Sequence, residues 1–428
     1  MVEGTTFEKW HRGNSIVSSN LTASAIAFKM IKKLQNNIWK YTIILIANKR
    51  VFAAILGAYY LTIPDVTPQV IGFILLAGNI SAFIFEIPSG YMSDKIGHKQ
   101  ALITSQALMM LSTLFYLFAD SISFLILGSI FMSTSWAFHS GTGSAFMHET
   151  LQGLGRENEY ISVMGKISSI AFAVPAILTA LIPFLVSVSY KTPFLIVLFF
   201  DIAGLLVAFS LTTPPVPMKP IEEVGVTNFK QVLKEGYNLN YFSIALFSGI
   251  ILGAMISIGG FRSVYQVFLG IPVIWFGIFF GLGRVLAALI LAQSGKIEKF
   301  ISMLSFYKFQ TFVFTFLILV LSVTTNSAVV VIIFIIMNAL YWGISRLDEG
   351  YQLSVIKFSK FKATLLSVRA QIGQMVGAIL GFSLGLAFEY MSFRAGFFYL
   401  GIFFFFTIFP IYLYIAHQHK MGAYGSAV

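Results

Sequence analysis

Three arginine residues lie inside long apolar stretches of the sequence: Arg50, Arg262 and Arg284. Placing a charge at the centre of a bilayer costs roughly 2.5–3.5 kcal/mol on insertion scales, so a charge kept there is a functional candidate. The arginine fork donates paired hydrogen bonds that suit a carboxylate or a phosphate. We therefore predict that these arginines contribute to a substrate site for an anion. The competing interpretation is that each pairs with Glu86 or Asp201, or snorkels to the interface.

Glu86, Asp201 and His139 lie in the same apolar stretches and are able to exchange a proton. Burial disfavours the charged form of a carboxylate, and an imidazole titrates in the physiological range. We predict these three side chains as candidate coupling residues. The structural alternatives are an ion pair between Glu86 and Arg50 or Lys49, an ion pair for Asp201, and a packing or hydrogen-bonding role for His139.

Asn338 and Trp342 are four residues apart, which places them on one face of a helix. Both are candidate substrate-binding residues, with anchoring of the tryptophan at the membrane interface as the alternative. Lys49 adjoins Arg50, and consecutive residues point about 100° apart around a helix. We therefore do not expect these two cations to face the same cavity.

A further group of charged residues is predicted near the inner ends of the segments. Glu149 is expected to pair there with Arg156 or Lys166. Arg346 and Asp348 lie at the inner end of the tenth segment. Opposite charges at the mouth of a pore can close it by pairing. We predict Glu149, Arg156, Arg346 and Asp348 as candidates for an inner gate.

The elements that must position these residues are membrane helices. Hydrophobic residues make up 57% of the chain and charged residues 11%, whereas soluble domains carry about a quarter charged residues. Apolar residues run continuously, which favours helices over an alternating β-barrel, and roughly 20 of them span a bilayer. The sequence predicts twelve segments, numbered 1 to 12, at about 38–62, 67–92, 99–119, 122–147, 160–187, 191–212, 241–267, 272–294, 303–324, 327–346, 362–388 and 392–416.

The Lys and Arg residues cluster in the tails and in alternate connections. Cytoplasmic loops carry such an excess, so we expect both termini in the cytoplasm. The net charge of +11 is thus a topology signal and does not indicate nucleic acid as a partner. The chain has no cysteine, no metal-ligand cluster and no nucleotide-binding loop, so no cofactor and no ATP-driven step are predicted. Residues 1–35 lack the pattern of a cleavable signal peptide.

A proline-rich and polar stretch divides the chain into similar halves. Gly78-Asn-Ile and Ser89-Gly90 recur as Gly283-Arg-Val and Ser294-Gly295 at one common offset. Six segments, a linker and six more segments are typical of paired transporter repeats. The predicted organisation is an N-terminal tail, a six-helix bundle, a linker, a second bundle and a C-terminal tail, at 1–37, 38–212, 213–240, 241–416 and 417–428.

The loop after segment 2 reads Gly90-Tyr-Met-Ser-Asp-Lys-Ile-Gly-His-Lys99. It resembles motif A of the major facilitator superfamily. FEIPSG at 85–90, SGT at 140–142 and KATLLS at 362–367 resemble blocks of a bacterial branch of that family. The resemblance implies two pseudo-symmetric six-helix bundles. It also implies that motif A acts as a conformational latch, through Gly90, Asp94, Lys95, Gly97 and Lys99.

Two family motifs are missing. Segment 4 lacks the membrane arginine that many proton-coupled members carry, and segment 5 has only Ala173-Val-Pro-Ala176 where antiporters carry a glycine–proline signature. The second copy of motif A is reduced to Ser294-Gly-Lys-Ile-Glu-Lys299. These departures weaken the prediction of a standard drug–proton antiporter.

The sequence therefore predicts a secondary transporter, not an enzyme, that moves a small and preferably anionic organic solute by rocker-switch alternating access. Arg50 is the expected main anion contact. The alternatives are proton-coupled efflux of amphipathic drugs or peptides, and a lipid flippase or non-transporting sensor. The expected partners are the solute, membrane lipids and protons, and the protein is expected to be a monomer in a bacterial inner membrane.

Overall fold

The computed structural model describes residues 28–140, 142–215, 226–356 and 362–421, without the side chains of Asp94, Ile161, 226–230 and 362–364. Most of the predicted N-terminal tail, ten residues of the linker and the last seven residues lie outside this description. All regular structure in the described residues is helical, as the sequence predicts.

The helices are named α1 to α17 in chain order. The first half contains α1 (28–47), α2 (Leu56–Tyr60), α3 (Pro68–Ile96), α4 (His98–Leu117), α5 (Ile122–His139), α6 (Thr142–Gly153), α7 (Tyr160–Leu181) and α8 (Thr192–Ser210). The linker contains α9 (Val226–Asn238). The second half contains α10 (Tyr241–Phe268), α11 (Phe276–Ala292), α12 (Ser294–Phe300), α13 (Met303–Val323), α14 (Ser327–Gly343), α15 (Ser345–Val355), α16 (Lys362–Tyr390) and α17 (Phe393–Lys420).

Eleven helical spans in the described residues are long and apolar enough to cross a membrane. The remaining predicted segment, segment 1, falls outside this set and is broken. Its helix α1 stops at residue 47, a 3-10 turn covers Val51–Ala54, and α2 completes the segment. The all-helical architecture of twelve membrane segments is confirmed.

The break in segment 1 follows from three consecutive polar residues, Asn48, Lys49 and Arg50. A helix end leaves carbonyl groups without partners. Here the side chain of Arg50 folds back and donates to the carbonyl oxygen of Ala47, so the arginine itself closes the end of α1. Because the helix stops at residue 47, these three side chains do not point in the directions that a regular helix would give them.

The two halves pack together on one side of the molecule. We call the side on which α1 begins and α17 ends the termini side. The other side of the molecule is called the opposite side. Towards the opposite side, a Cβ on Gly72 of α3 would come within 2.9 Å of the Gly381 carbonyl oxygen of α16. A Cβ on Gly277 of α11 would overlap the carbonyl oxygen of Thr179 in α7. Glycine allows such close helix contacts, so the opposite side is tightly sealed.

The termini side is looser around α3. Ile87 and Tyr91 are 67% and 52% exposed, and a Cβ on Gly90 would find no atom within 4 Å. Two hydrogen bonds join side chains of one half to the other in the described residues, from Arg262 to the Ala53 carbonyl and from Tyr390 to Gln69. Both lie towards the opposite side. The halves therefore meet on the opposite side and part towards the termini.

Candidate functional site

A cavity of about 600 Å³ lies between the two halves. Segment 1, α5 and α7 of the first half and α10, α11 and α14 of the second half line it. Its position on the axis between the bundles is where paired transporter repeats bind their solute.

Three cationic side chains, Lys49, Arg262 and Arg284, line the cavity without acidic partners. No Asp or Glu of the described ranges is among its lining residues. In the part of the chain that the structure describes, none of the three cations forms an ion pair. Arg284 is near enough to both Lys49 and Arg262 for mutual repulsion. The cavity lining therefore carries a concentrated positive charge.

Aromatic rings hold the two arginines in place. The Phe280 ring centroid lies 4.3 Å from the Arg262 guanidinium carbon and 4.9 Å from that of Arg284. Arg284 also lies over Trp342, at 4.4 Å, and near Phe172, at 5.6 Å. Ring faces attract cations without neutralising them. The arginines are thus positioned while their charge stays available to an anion.

Asn338 and Trp342 both line the cavity, on the same face of α14. The helices α11 and α14 approach closely at Gly283, which has no side chain. A Cβ there would come within 2.8 Å of the Asn338 amide nitrogen. That nitrogen donates to the Phe280 carbonyl at 3.4 Å. Asn338 thereby fixes the helix that carries Phe280 and Arg284.

Arg50 reaches the cavity wall, but its charge is already balanced by Asp201. Its two terminal nitrogens lie 2.6 Å and 3.0 Å from the two Asp201 oxygens, and Thr113 bridges the pair. Arg50 is 7% exposed and Asp201 is fully buried. This geometry is the structural alternative considered for both residues. It makes Arg50 a weaker candidate for the main anion contact than Lys49, Arg262 or Arg284.

Lys49 and Arg50 both line the cavity, so the expectation that they do not share a cavity is wrong. The expectation assumed an unbroken helix, whereas α1 ends at residue 47. The side chain of Lys49 is exposed to the cavity while that of Arg50 turns into the bundle. The break is what delivers a third cation to the site.

Glu86 accepts a hydrogen bond from the Ser140 hydroxyl at 2.7 Å. The expected pairing with Arg50 or Lys49 is wrong, because Arg50 binds Asp201 and Lys49 faces the cavity. Glu86 is absent from the cavity lining. It joins α3 to the end of α5 near the termini side.

His139 lines the cavity and belongs to a chain of side-chain hydrogen bonds. The Asn48 amide nitrogen lies 3.0 Å from His139 Nδ1, and the Gln106 amide nitrogen donates to Asn48 Oδ1 at 2.6 Å. The Tyr41 ring stacks on the imidazole at a centroid distance of 6.2 Å. Asn48 and Gln106 were not among the residues predicted from the sequence. The run of polar residues at 48–50 is the signal that points to Asn48.

The candidate gate residues form pairs within each half. Glu149 lies 3.2 Å from His98 Nε2, which replaces the expected partners Arg156 and Lys166. Arg156 instead binds Glu159 at 2.6 Å, because Gly155 turns the chain with a φ of 66°. The hydrogen bond from Arg156 lowers the pKa of Glu159.

On the other half, the exposed Arg346 pairs with Glu349 at 2.8 Å. Asp348 is buried and accepts from Arg369 at 3.1 Å and Ser248 at 2.8 Å. None of these pairs crosses between the halves in the described residues. A gate built from them is therefore not closed in this conformation.

Motif A ends α3 and begins α4. Gly97 has a φ of 96°, which separates the two helices, and Ser93 bonds to His98 Nδ1 at 2.7 Å. Lys95 lies 5.7 Å from the Tyr91 ring centroid. The side chain of Asp94 lies outside the described structure. In the described residues, no hydrogen bond or ion pair joins Lys95, Gly97 or Lys99 to the second half, so the latch stays a prediction.

Two helical halves around a solute-sized cavity define a membrane transporter that alternates access to one central site. The sequence profile of the Major Facilitator Superfamily matches residues 39–347. The chain belongs to this family and is a secondary transporter of a small solute, not an enzyme. No curated protein matches the chain.

Solved structures share the fold at low identity. The nucleoside transporter NupG is 12% identical with a TM-score of 0.68, over 90% of this chain and 99% of its own. A bacterial homologue of the human lysosomal transporter Spinster, solved inward-facing and unoccupied, is 14% identical with a TM-score of 0.66, over 94% and 99%. A transporter of the POT family in complex with 5-aminolevulinic acid is 12% identical with a TM-score of 0.65, over 90% and 96%.

Proposed function

We propose that this secondary transporter carries a small organic anion with an apolar or aromatic body. The observation that carries the proposal is the group of three cations, Lys49, Arg262 and Arg284, in a cavity whose described lining residues include no Asp or Glu. Buried charges are normally paired. An anion that enters the cavity supplies the missing partner.

The shape and lining of the cavity support the same class of solute. Its volume of about 600 Å³ falls within the roughly 300–1,000 Å³ typical of small-molecule sites. The rings of Phe172, Phe280 and Trp342 surround Arg284. They offer flat apolar surface beside the cation, so a carboxylate or phosphate attached to an aromatic or branched body fits the site.

We place both termini in the cytoplasm, because the distribution of basic residues favours this orientation. The sealed side is then extracellular, and the described conformation is open inwards. The likeness to a transporter solved inward-facing and unoccupied supports this state. Closing Gly90, Asp94 and Lys95 against the second half would mark the outward-open state, with the motif A loop as its latch. We place the protein as a monomer in a cytoplasmic membrane.

The aromatic lining also favours a second candidate, efflux of amphipathic compounds. Trp136 and Phe334 extend the apolar surface beyond the cations. Lipophilic cations, the usual solutes of such exporters, would be repelled by Lys49, Arg262 and Arg284. Charge therefore separates the two candidate functions.

Binding to the purified protein tests the proposal, with tryptophan fluorescence as the signal because Trp136 and Trp342 line the cavity. The probes are terephthalate, its neutral diamide and tetraphenylphosphonium. We expect saturable quenching by terephthalate alone. Loss of a charge-assisted hydrogen bond, worth about 1.5–3 kcal/mol, should lower its affinity by about tenfold or more in Arg262→Gln and in Arg284→Gln.

Arg346→Gln is the matched control, because Arg346 is exposed and pairs outside the cavity. Its affinity for terephthalate should equal that of the unchanged protein. Tight binding of tetraphenylphosphonium, with no binding of terephthalate, benzoate or glutarate, would overturn the anion proposal and favour efflux.

A further inference from the structure

We propose that the anion moves together with one proton bound by His139, and that the amides of Asn48 and Gln106 reorient when this proton binds. This inference rests on the proposed anion transport and names its coupling ion. It follows from which groups line the cavity and from how the three side chains are hydrogen-bonded.

Among the lining residues that the structure describes, His139 is the single side chain that ordinarily titrates between pH 5 and 8. The other titratable lining residues are Lys49, Tyr341 and three arginines. The ordinary pKa values of lysine, tyrosine and arginine are about 10 or above. A proton exchanged at physiological pH inside this cavity therefore has one place to bind.

Binding of the anion and binding of the proton must then strengthen each other. In the empty cavity, Lys49 and Arg284 oppose a further positive charge on the imidazole, since like charges repel more strongly away from bulk water. An anion lying among these cations removes that opposition. Coupling between two binding sites is reciprocal, so the protonated imidazole strengthens anion binding by the same factor. The two ligands cross in the same direction.

The hydrogen bonds of His139 indicate which side chain must reorient when the imidazole is protonated. Nδ1 of His139 accepts from the Asn48 amide nitrogen, at 3.0 Å, so the neutral ring carries its hydrogen on Nε2. A proton taken from water leaves hydrogens on both ring nitrogens. Nδ1 then needs an acceptor, and Asn48 provides its Oδ1 only by rotating its amide.

Rotation of Asn48 passes to Gln106, whose amide nitrogen now donates to Asn48 Oδ1 at 2.6 Å. After rotation, the Asn48 amide nitrogen needs an acceptor, which is Gln106 Oε1. That oxygen is fully buried and has no hydrogen-bond partner in the present orientation. An unpartnered buried acceptor is costly. The reversed chain gives Oε1 a partner and moves the Gln106 amide nitrogen to the position that Oε1 now holds. Both orientations therefore contain two hydrogen bonds within the chain, so they are close enough in energy to exchange.

The chain ends at contacts that hold the first half together. Asn48 lies in the break of segment 1, beside Lys49 and Arg50. At the other end, a Cβ on Gly204 of α8 would come within 2.5 Å of Gln106 Oε1, one helical turn from Asp201. Reorientation therefore acts where segment 1, α4 and α8 meet. Protonation in the cavity is thereby transmitted to the helices that must rearrange.

Other charged and titratable groups surround His139. Segment 1 contributes Tyr41, stacked on the ring, and Lys49. Helix α3 contributes Glu86, which bonds to Ser140 beside it in sequence, while α4 contributes the non-titrating Gln106. Arg262 and Arg284 face it across the cavity. Glu86 is the competing proton carrier, and Glu86→Gln belongs in the test.

Proton uptake on anion binding tests the inference with purified protein and terephthalate. The probe stays a dianion near neutral pH, because carboxylic acids ordinarily titrate near pH 4. We expect uptake of about one proton per bound anion in the unchanged protein at pH 7. His139→Asn keeps an acceptor for Asn48 but holds no proton, so it should bind terephthalate without proton uptake.

Two controls sharpen the result. His148→Asn removes an exposed histidine near Tyr160, at a ring distance of 5.5 Å, and should keep the uptake, as should Glu86→Gln. Binding without proton uptake in the unchanged protein overturns the inference and leaves anion transport standing. Loss of uptake in Glu86→Gln, with uptake retained in His139→Asn, also overturns it. Failure of every anion to bind overturns the proposed function and this inference with it.

Discussion

The guanidinium of Arg50 holds the carboxylate of Asp201 through hydrogen bonds of 2.6 Å and 3.0 Å, across 151 residues of sequence. The same guanidinium donates to the Ala47 carbonyl at the end of α1. One side chain thus ends a helix and ties segment 1 to α8. The break that brings Asn48 and Lys49 to the cavity wall lies directly beside this ion pair.

Asp201→Asn should destabilise the protein strongly. The substitution keeps the shape of the side chain but leaves Arg50 charged and buried, which costs about 3–5 kcal/mol. Thermal unfolding of the detergent-purified protein measures it as a lowered Tm. The matched control is Glu159→Gln, which breaks a solvent-exposed pair with Arg156 and should change the Tm little, because exposed ion pairs contribute little to stability. Equal Tm values for the two variants would contradict the role given to Asp201.

Phe280→Leu should weaken anion binding without unfolding the protein. The ring lies between Arg262 and Arg284 and attracts both. Leucine keeps apolar bulk but has no ring face. About 0.5–1 kcal/mol of cation–π attraction is therefore lost at each arginine. With two such contacts the loss is about 1–2 kcal/mol, so terephthalate affinity should fall by about fivefold to thirtyfold. Phe312→Leu, at a half-exposed ring packed on Phe409, should leave affinity unchanged.

Chemical labelling should place the termini side in the cytoplasm. The chain has no cysteine, so each introduced thiol reports one position. Ser189→Cys lies in the exposed turn before α8, and Glu157→Cys lies in the exposed turn before α7. A membrane-impermeant maleimide should label Ser189→Cys in intact cells and Glu157→Cys only after permeabilisation. The reverse pattern would invert the orientation and turn the present state outward-open.

Gly72→Ala should open the sealed side. The added Cβ would come within 2.9 Å of the Gly381 carbonyl and 3.0 Å of Gly385 Cα, and backbone atoms move less readily than side chains. Overpacking costs about 1–3 kcal/mol. The ratio of the conformation sealed on the opposite side to the conformation open there should therefore fall by about fivefold or more. The readout is maleimide labelling of Ala53→Cys, which lines the cavity, from outside the cell.

The rate of this labelling should rise in Gly72→Ala. It should not change in Gly295→Ala, where a Cβ meets no atom within 4 Å. Unchanged labelling in Gly72→Ala would show that the glycine contacts do not control which side is open.

Sequence by itself determined the membrane helices, the division into halves and the family. These features rest on local quantities, since a run of apolar residues must become helical in a bilayer whatever surrounds it. The same reasoning found the cations, because a charge in such a run is conspicuous on its own. Arg262, Arg284, Asn338 and Trp342 all reach the cavity that the sequence predicted for them.

Tertiary structure alone decided which charges are free. Arg50 and Arg284 look equivalent in sequence, yet Asp201 neutralises the first and aromatic rings support the second. The choice depends on the side chains of distant helices, which the spacing along one helix does not specify. Helical spacing also failed for Lys49, because the arginine beside it ends the helix. Periodicity describes a regular helix, whereas this site is built where the helix stops.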